Sequence, residues 1–210
     1  MKRTFNIFEL GLVIALVVIG VPASLARAED ASVTIQKPAI TEQNWISHPQ
    51  IRAIREIVRG IDASLKRKRL KAAERRFESC EDSYFTVRRI AKDKNRAIKW
   101  YGDYAEGEDS AWDYQQYYDS MARLRFVLVT VYAANGSREQ HRFYFDDTGK
   151  LIWNNRKRLK GPGYFAPQDI ERLLTEDPGK MFTEAPGCKE LKPERKSALL
   201  KFVLESAEGE

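Results

Sequence analysis

The chain has 210 residues, 43% hydrophobic and 31% charged, with a formal net charge of +6. That length suits one domain, or one domain with a tail. The charge is modest and is not gathered into a basic stripe with interleaved aromatics, which argues against a nucleic-acid binder.

At the amino end, Lys2 and Arg3 precede the apolar run Leu10 to Val21, and Ala26-Arg27-Ala28 stands just before Glu29-Asp30. This is the order of a secretory signal peptide with a small-x-small cleavage site. The run is shorter than the roughly 20 residues that span a bilayer. Residues 1–28 are therefore expected to be a cleaved signal, with an uncleaved anchor as the alternative, and the expected location is periplasmic or secreted. Membrane contact is expected only through this segment. Cleavage would remove Lys2, Arg3, Arg27 and Glu9, taking the charge from +6 to +4.

Cys80 and Cys188 are the two cysteines. Outside the cytosol they are expected to form one disulfide, which by the chain-entropy model would stabilise by about 4–5 kcal/mol for a loop of roughly 100 residues. Glu78, Glu81 and Asp82 surround Cys80 and disfavour a reactive thiolate.

Residues 29–47 show no sustained period and are expected to form an extended leader. A single α+β domain is expected over 48–188. Ile51, Ile54, Ile57, Val58, Ile61 and Leu65 recur at helical spacing, with Ser47 placed to cap the start and Pro49 in the first turn. Leu70, Ala73 and Phe77 extend the stripe to Cys80, with a bend expected near residues 64–69. The basic run Lys66 to Arg69, followed by Lys71, Arg75 and Arg76, is read as the wet face of this helix. A patch for anionic lipid, polysaccharide or nucleic acid is the alternative.

From Tyr84 the period changes to two. Strands are expected at 84–90, 97–104, 112–118, 124–132, 138–145 and 151–155, rich in aromatic and β-branched residues. Their joints resemble one another. Each places an Asp (Asp93, Asp119, Asp146) after a strand end, followed by turn residues, a basic residue, an aliphatic and an aromatic. This is a weak repeat of a hairpin unit in an antiparallel meander.

Asp147-Thr148-Gly149 has the letters of an aspartic-protease loop, yet Lys150 follows it and the sites around Asp93 and Asp119 lack Thr-Gly. A turn is expected instead, with the carboxylate accepting backbone hydrogen bonds and Gly149 supplying positive φ. The strand at 124–132 is apolar on both faces, so it is expected mid-sheet with cover on both sides. One cover is the long helix. The other comes from the C-terminal part, where a short helix is expected near Pro167 and an amphipathic helix over 193–204 in a tail at 189–210, or from a partner.

No chemistry-bearing constellation stands out. His48 and His141 are isolated, the acidic stretch 102–109 reads as a solvated hairpin loop, and no serine sits in a nucleophile elbow. No catalytic residue, metal or cofactor is expected. Trp100, Tyr104, Trp112 and Tyr114 fall in two strands that are expected to pair, where they either form a cross-strand ladder or offer a platform for glycan or peptide.

The order of signal peptide, helix ending at a cysteine, Asp-turn hairpins, Leu159-Lys160-Gly161-Pro162-Gly163-Tyr164 and a second cysteine resembles that of uncharacterised exported bacterial proteins. The resemblance covers residues 48–188 and implies a cell-envelope address. The expectation is an α+β fold, with a meander of about five or six strands on a long N-terminal helix and short C-terminal helices. Its expected role is non-catalytic, a binding or interaction module for an envelope protein, peptide or glycan. A hydrolase-type enzyme and a structural or inhibitory secreted protein are the alternatives.

Overall fold

The structure, a computed structural model, describes residues 39–79, 83–163, 174, 176–184 and 187–192, all within the unit that starts at Ala39. The signal segment, Cys80 and the helix expected over 193–204 lie outside the described residues, as does the helix expected near Pro167 apart from Leu174.

Helix α1 (Pro49–Lys66) leads into β1 (Lys71–Glu78), β2 (Phe85–Lys92), β3 (Ile98–Glu106), β4 (Ser110–Tyr118), β5 (Leu124–Ala133), β6 (Arg138–Phe145) and β7 (Leu151–Lys160). A short helix, α2 (Pro178–Thr183), and the strand β8 (Lys189–Leu191) follow. The strands form one sheet in the order β7-β6-β5-β4-β3-β2-β1-β8, with every neighbouring pair antiparallel. The fold is thus α+β, and the sheet has eight strands rather than five or six.

The helix is shorter than expected, and its lost part is one of the added strands. The helix stops at Lys66, and the segment expected to continue it is strand β1. At the stop, Arg69 N–H donates to Ser64 O (2.8 Å) and Lys68 N–H to Leu65 O (2.9 Å), while Lys68 adopts φ 55°. These are the paired bonds of a Schellman cap, with lysine in the left-handed position where glycine is usual. Without a glycine to signal the stop, the helix-forming letters of Lys71–Glu78 read as continuation. In β1 they alternate instead. Glu74 and Arg76 share one face, where Glu74 accepts from Arg89 Nε (2.8 Å) and Arg76 Nε (2.7 Å). Arg75 and Phe77 share the other. At the helix start the N-cap is His48, and Ser47 Oγ donates to Asn44 O rather than capping α1.

The turn expectation holds in all three hairpins on one end of the sheet. Asp93 Oδ1 accepts from the N–H groups of Asn95 and Ala97, Asp119 Oδ1 from Met121 and Arg123, and Asp146 Oδ1 from Thr148 and Lys150. In each case the third residue after the Asp has positive φ: Arg96 (65°), Ala122 (59°) and Gly149 (85°). Asp147 itself is exposed.

This common turn sets the register. Trp100, Tyr117, Phe126, Tyr144 and Trp153 are successive partners from β3 to β7 and form one aromatic row across five strands. Phe126 lies 5.7 Å from Tyr117 and 4.9 Å from Tyr144, ring centre to ring centre. Ile51, Ile54 and Ile61 of α1 pack onto this row, and Trp45 stacks on Trp153.

The opposite face carries Val127, Val129 and Val131 with Tyr101, Tyr114 and Phe143, covered by Leu174 and by Met181 of α2. Arginines dock that cover. Arg75 donates to the carbonyls of Phe182 and Thr183, and Arg88 to those of Met181 and Glu184, at the carboxyl end of α2. Both guanidinium groups also lie over the Phe77 ring.

No atom lies within 4 Å of where a Gly149 Cβ would be, so substitution there isolates the cost of the backbone. Gly149→Ala is expected to lower unfolding free energy by about 1 kcal/mol, and Ala122→Gly to raise it by about 0.5 kcal/mol net of the freedom it adds to the unfolded chain. Urea unfolding of both variants checks the pair; shifts of the same sign would contradict the shared turn geometry.

Candidate functional site

Below the aromatic row, the same face of the sheet turns polar one residue pair at a time. The next row runs Gly102, Gln115, Leu128, Arg142 and Asn155, and the one after it Tyr104, Asp113, Thr130, Gln140 and Lys157. Gly102 is required by its neighbour, since a Cβ there would sit 2.6 Å from the Trp100 ring. Helix α1 lies over this gradient without filling it and leaves a cavity of about 330 Å³. Its floor is Tyr117, Phe126, Leu128 and Tyr144 with Gln115 and Gln140; its rim is Arg55, Arg59, Asp62, Ala63 and Lys66 of α1 facing Arg142 of β6. The volume lies at the small end of the range for ligand pockets.

A hydrogen-bonded chain leads from the cleft into the sheet along alternate residues of β4. Tyr117 Oη donates to Gln115 Oε1 (2.9 Å), and Gln115 Nε2 donates to Asp113 Oδ2 (2.7 Å). The Asp62 carboxylate is a competing acceptor for the same Tyr117 hydroxyl proton, and burial and the Asp62 charge push that hydroxyl well above its ordinary pKa. Burial pushes the Asp113 carboxyl up to about 6 against the pull of Gln115, Arg89 and Arg138. Asp103 on β3 is likewise raised to about 6 by burial, although Arg88 lies 3.5 Å away. This corrects its placement in a solvated loop. Asp103 pairs in register with Tyr114 and Tyr104 with Asp113, so the two raised carboxyls project from opposite faces and cannot act on one bond as an acid–base pair.

The rim is cationic. Arg59 is paired with Glu56, and Asp62 is the one acid that lines the cavity. Arg142 is half-buried and donates from Nη2 to Gln140 Oε1 (2.9 Å). Among the described residues, no carboxylate pairs with Arg142 or Lys66.

The four aromatics singled out in the sequence do not share a surface. Trp100 is 3% exposed in the aromatic row, and Tyr114 is 2% exposed in the opposite core. Tyr104 is half-buried on the α1 side, with Oη donating to Glu106 Oε2 (3.2 Å) and its pKa pushed by burial to about 12. Trp112, 37% exposed, lies on the other face. His141 is held below its ordinary pKa by burial and by Arg156, against the attraction of Glu139. Cys188 is not a free thiol. It directly precedes β8, whose register pairs Lys189 with Glu78.

The cleft residues themselves, Tyr117, Phe126, Tyr144 and Arg142, come from three strands. Only the register unites them, and the recurring Asp turn is the sequence signal from which that register could have been worked out. Among the described residues, no group of three or more metal-ligating side chains is present and no helix is long and apolar enough to cross a membrane. No family model, curated protein or solved structure matches the chain.

The raised pKa of Asp113 sets a pH dependence. Its folded value of about 6 exceeds the ordinary 3.8, so the folded form holds the proton more tightly. The resulting stabilisation is complete below about pH 4 and is lost as pH rises through 6. Asp113→Asn should gain on the wild type by about 1–3 kcal/mol between pH 4 and pH 7. Unfolding free energies of both proteins at the two pH values measure this; a constant difference would contradict it.

Proposed function

We propose that the chain is an exported, non-catalytic binding module of the cell envelope, with its ligand site in the cleft between α1 and the sheet. The observation that carries the proposal is the gap itself. An 18-residue helix is seated on one aromatic row, and beside it an apolar floor lies under a polar rim, the composition expected of a small-ligand pocket. Catalysis is disfavoured by the separation of the two raised carboxyls onto opposite faces and by the single acid in the lining. Export is supported by the signal-like order of residues 1–28 and by a cysteine count that suits one bridge. The bridge proposed is Cys80–Cys188.

Ala63 lines the cleft, so Ala63→Trp should plug it. The neutral dye N-phenyl-1-naphthylamine is expected to fluoresce on binding the wild type and to lose at least tenfold in affinity on the variant, with circular dichroism unchanged. Equal binding by both proteins would place the dye elsewhere. For export, intact mass of the protein from the periplasm or medium should correspond to a chain starting at Glu29, and alkylation without reductant should leave that mass unchanged. A full-length mass, or addition of two alkyl groups, would refute cleavage or the bridge respectively.

A further inference from the structure

Resting on that reading of the cleft, we infer that its ligand is a small organic anion with an apolar or aromatic body, the anionic group held by Arg142 with help from Lys66. The cavity has two chemically distinct parts. Tyr117, Phe126 and Tyr144 belong to the aromatic row and present rings and ring edges. Beyond them the next row is polar, and there Arg142 stands half-buried next to Leu128 in register.

Charge decides the ligand's sign. The lining carries Arg55, Arg59, Lys66 and Arg142 against Asp62 alone, and the Glu56 that pairs with Arg59 offsets one cation. Arg55 has a partner of its own, so the lining cations without a carboxylate partner among the described residues are Lys66 and Arg142. Arg142 is the informative one. Its hydrogen bond to Gln140 orients the guanidinium along the sheet but supplies no negative charge, and a partly desolvated guanidinium gains most from a carboxylate, sulfonate or phosphate that can accept two parallel N–H bonds. Lys66, on the α1 side of the same cavity, adds a point charge without a carboxylate partner among the described residues. An anionic head at Arg142 would leave the body of the ligand over the rings, which fits a molecule of modest size rather than a polymer.

Two dyes of the same ring system separate the parts. N-phenyl-1-naphthylamine is neutral, and 8-anilino-1-naphthalenesulfonate adds one sulfonate to that framework. On the full chain, fluorescence titration should give the sulfonate at least tenfold tighter binding. Arg142→Gln should remove most of that advantage while leaving the neutral dye within about twofold, Lys66→Gln should remove a smaller part, and added salt should weaken only the sulfonate. Equal affinity for the two dyes, or an advantage that survives Arg142→Gln, would overturn the anion inference while the cleft stands. Failure of both dyes to bind would overturn the cleft and the inference together.

Discussion

Three aspartate carboxylates, each accepting two backbone N–H bonds across a tight turn, set the alignment on which the remaining structure rests. In every one of these hairpins the residue two before the Asp pairs with the residue seven after it: Ala91 with Trp100, Tyr117 with Phe126, Tyr144 with Trp153. Strand register is otherwise easily lost, because a slip of one residue sends every side chain to the wrong face. Here the turn chemistry repeats, so the paired positions repeat too, and the aromatics at them fall into one row. The row is the seat of α1, and the seat fixes where the helix stops covering the sheet.

The turns also brace one another. Lys99 donates to the carbonyls of Asp119 (2.8 Å) and Ser120 (3.2 Å) while lying 3.4 Å from Asp93, which ties the first turn to the second. Arg123 bonds Asp119 Oδ2 and the carbonyl of Asp147, which ties the second to the third. Burial works against ionisation of Asp119, but its hydrogen bonds from Arg123 and Arg125 and from the backbone outweigh this and hold the carboxyl below its ordinary value. For Asp146 the bond from the Thr148 hydroxyl has the largest part in the same effect. These depressed acids stabilise above their ordinary pKa and lose that contribution as pH falls through the lowered values. Asp113 acts in the opposite sense and in a higher pH window, so backbone-turning and core carboxylates can be told apart by titration.

The six strands from β2 to β7 were legible because alternation and turn chemistry are local. Arg138–Phe145 matches the expected span residue for residue. What was not legible depended on pairing across distance. Lys71–Glu78 has the letters of a helix, yet Glu74 finds Arg89, and Arg75 meets Glu190 through two bonds of 2.8 Å. Such pairing across strands overrides intrinsic preference. The three residues of β8 were too short to carry a period. Among the aromatics, composition alone could not say that Trp100 and Tyr114 would be core on opposite faces. Parity relates residues within one strand only, so the register between β3 and β4 is what separates Trp100 from Tyr114 and shows which face receives the helix. Arg142 carries no mark in the sequence, being one arginine among many; its place beside Leu128 and Gln115 in one row is set by the register alone.

A polar row beside an aromatic one under a single helix gives the fold a cleft with a direction, rings at one side and cations at the other. Dispersion and area burial favour an apolar body on the rings, and the Arg142 guanidinium, which has no carboxylate partner among the described residues, favours an anion next to it. The measurement that tests this most directly is a crystal structure of the protein soaked with 8-anilino-1-naphthalenesulfonate. Density is expected between α1 and strands β4 to β6, with the naphthalene against Tyr117, Phe126 or Tyr144 and the sulfonate within hydrogen-bonding distance of Arg142. Dye bound only on the α2 face or along β7, with the cleft empty, would contradict it.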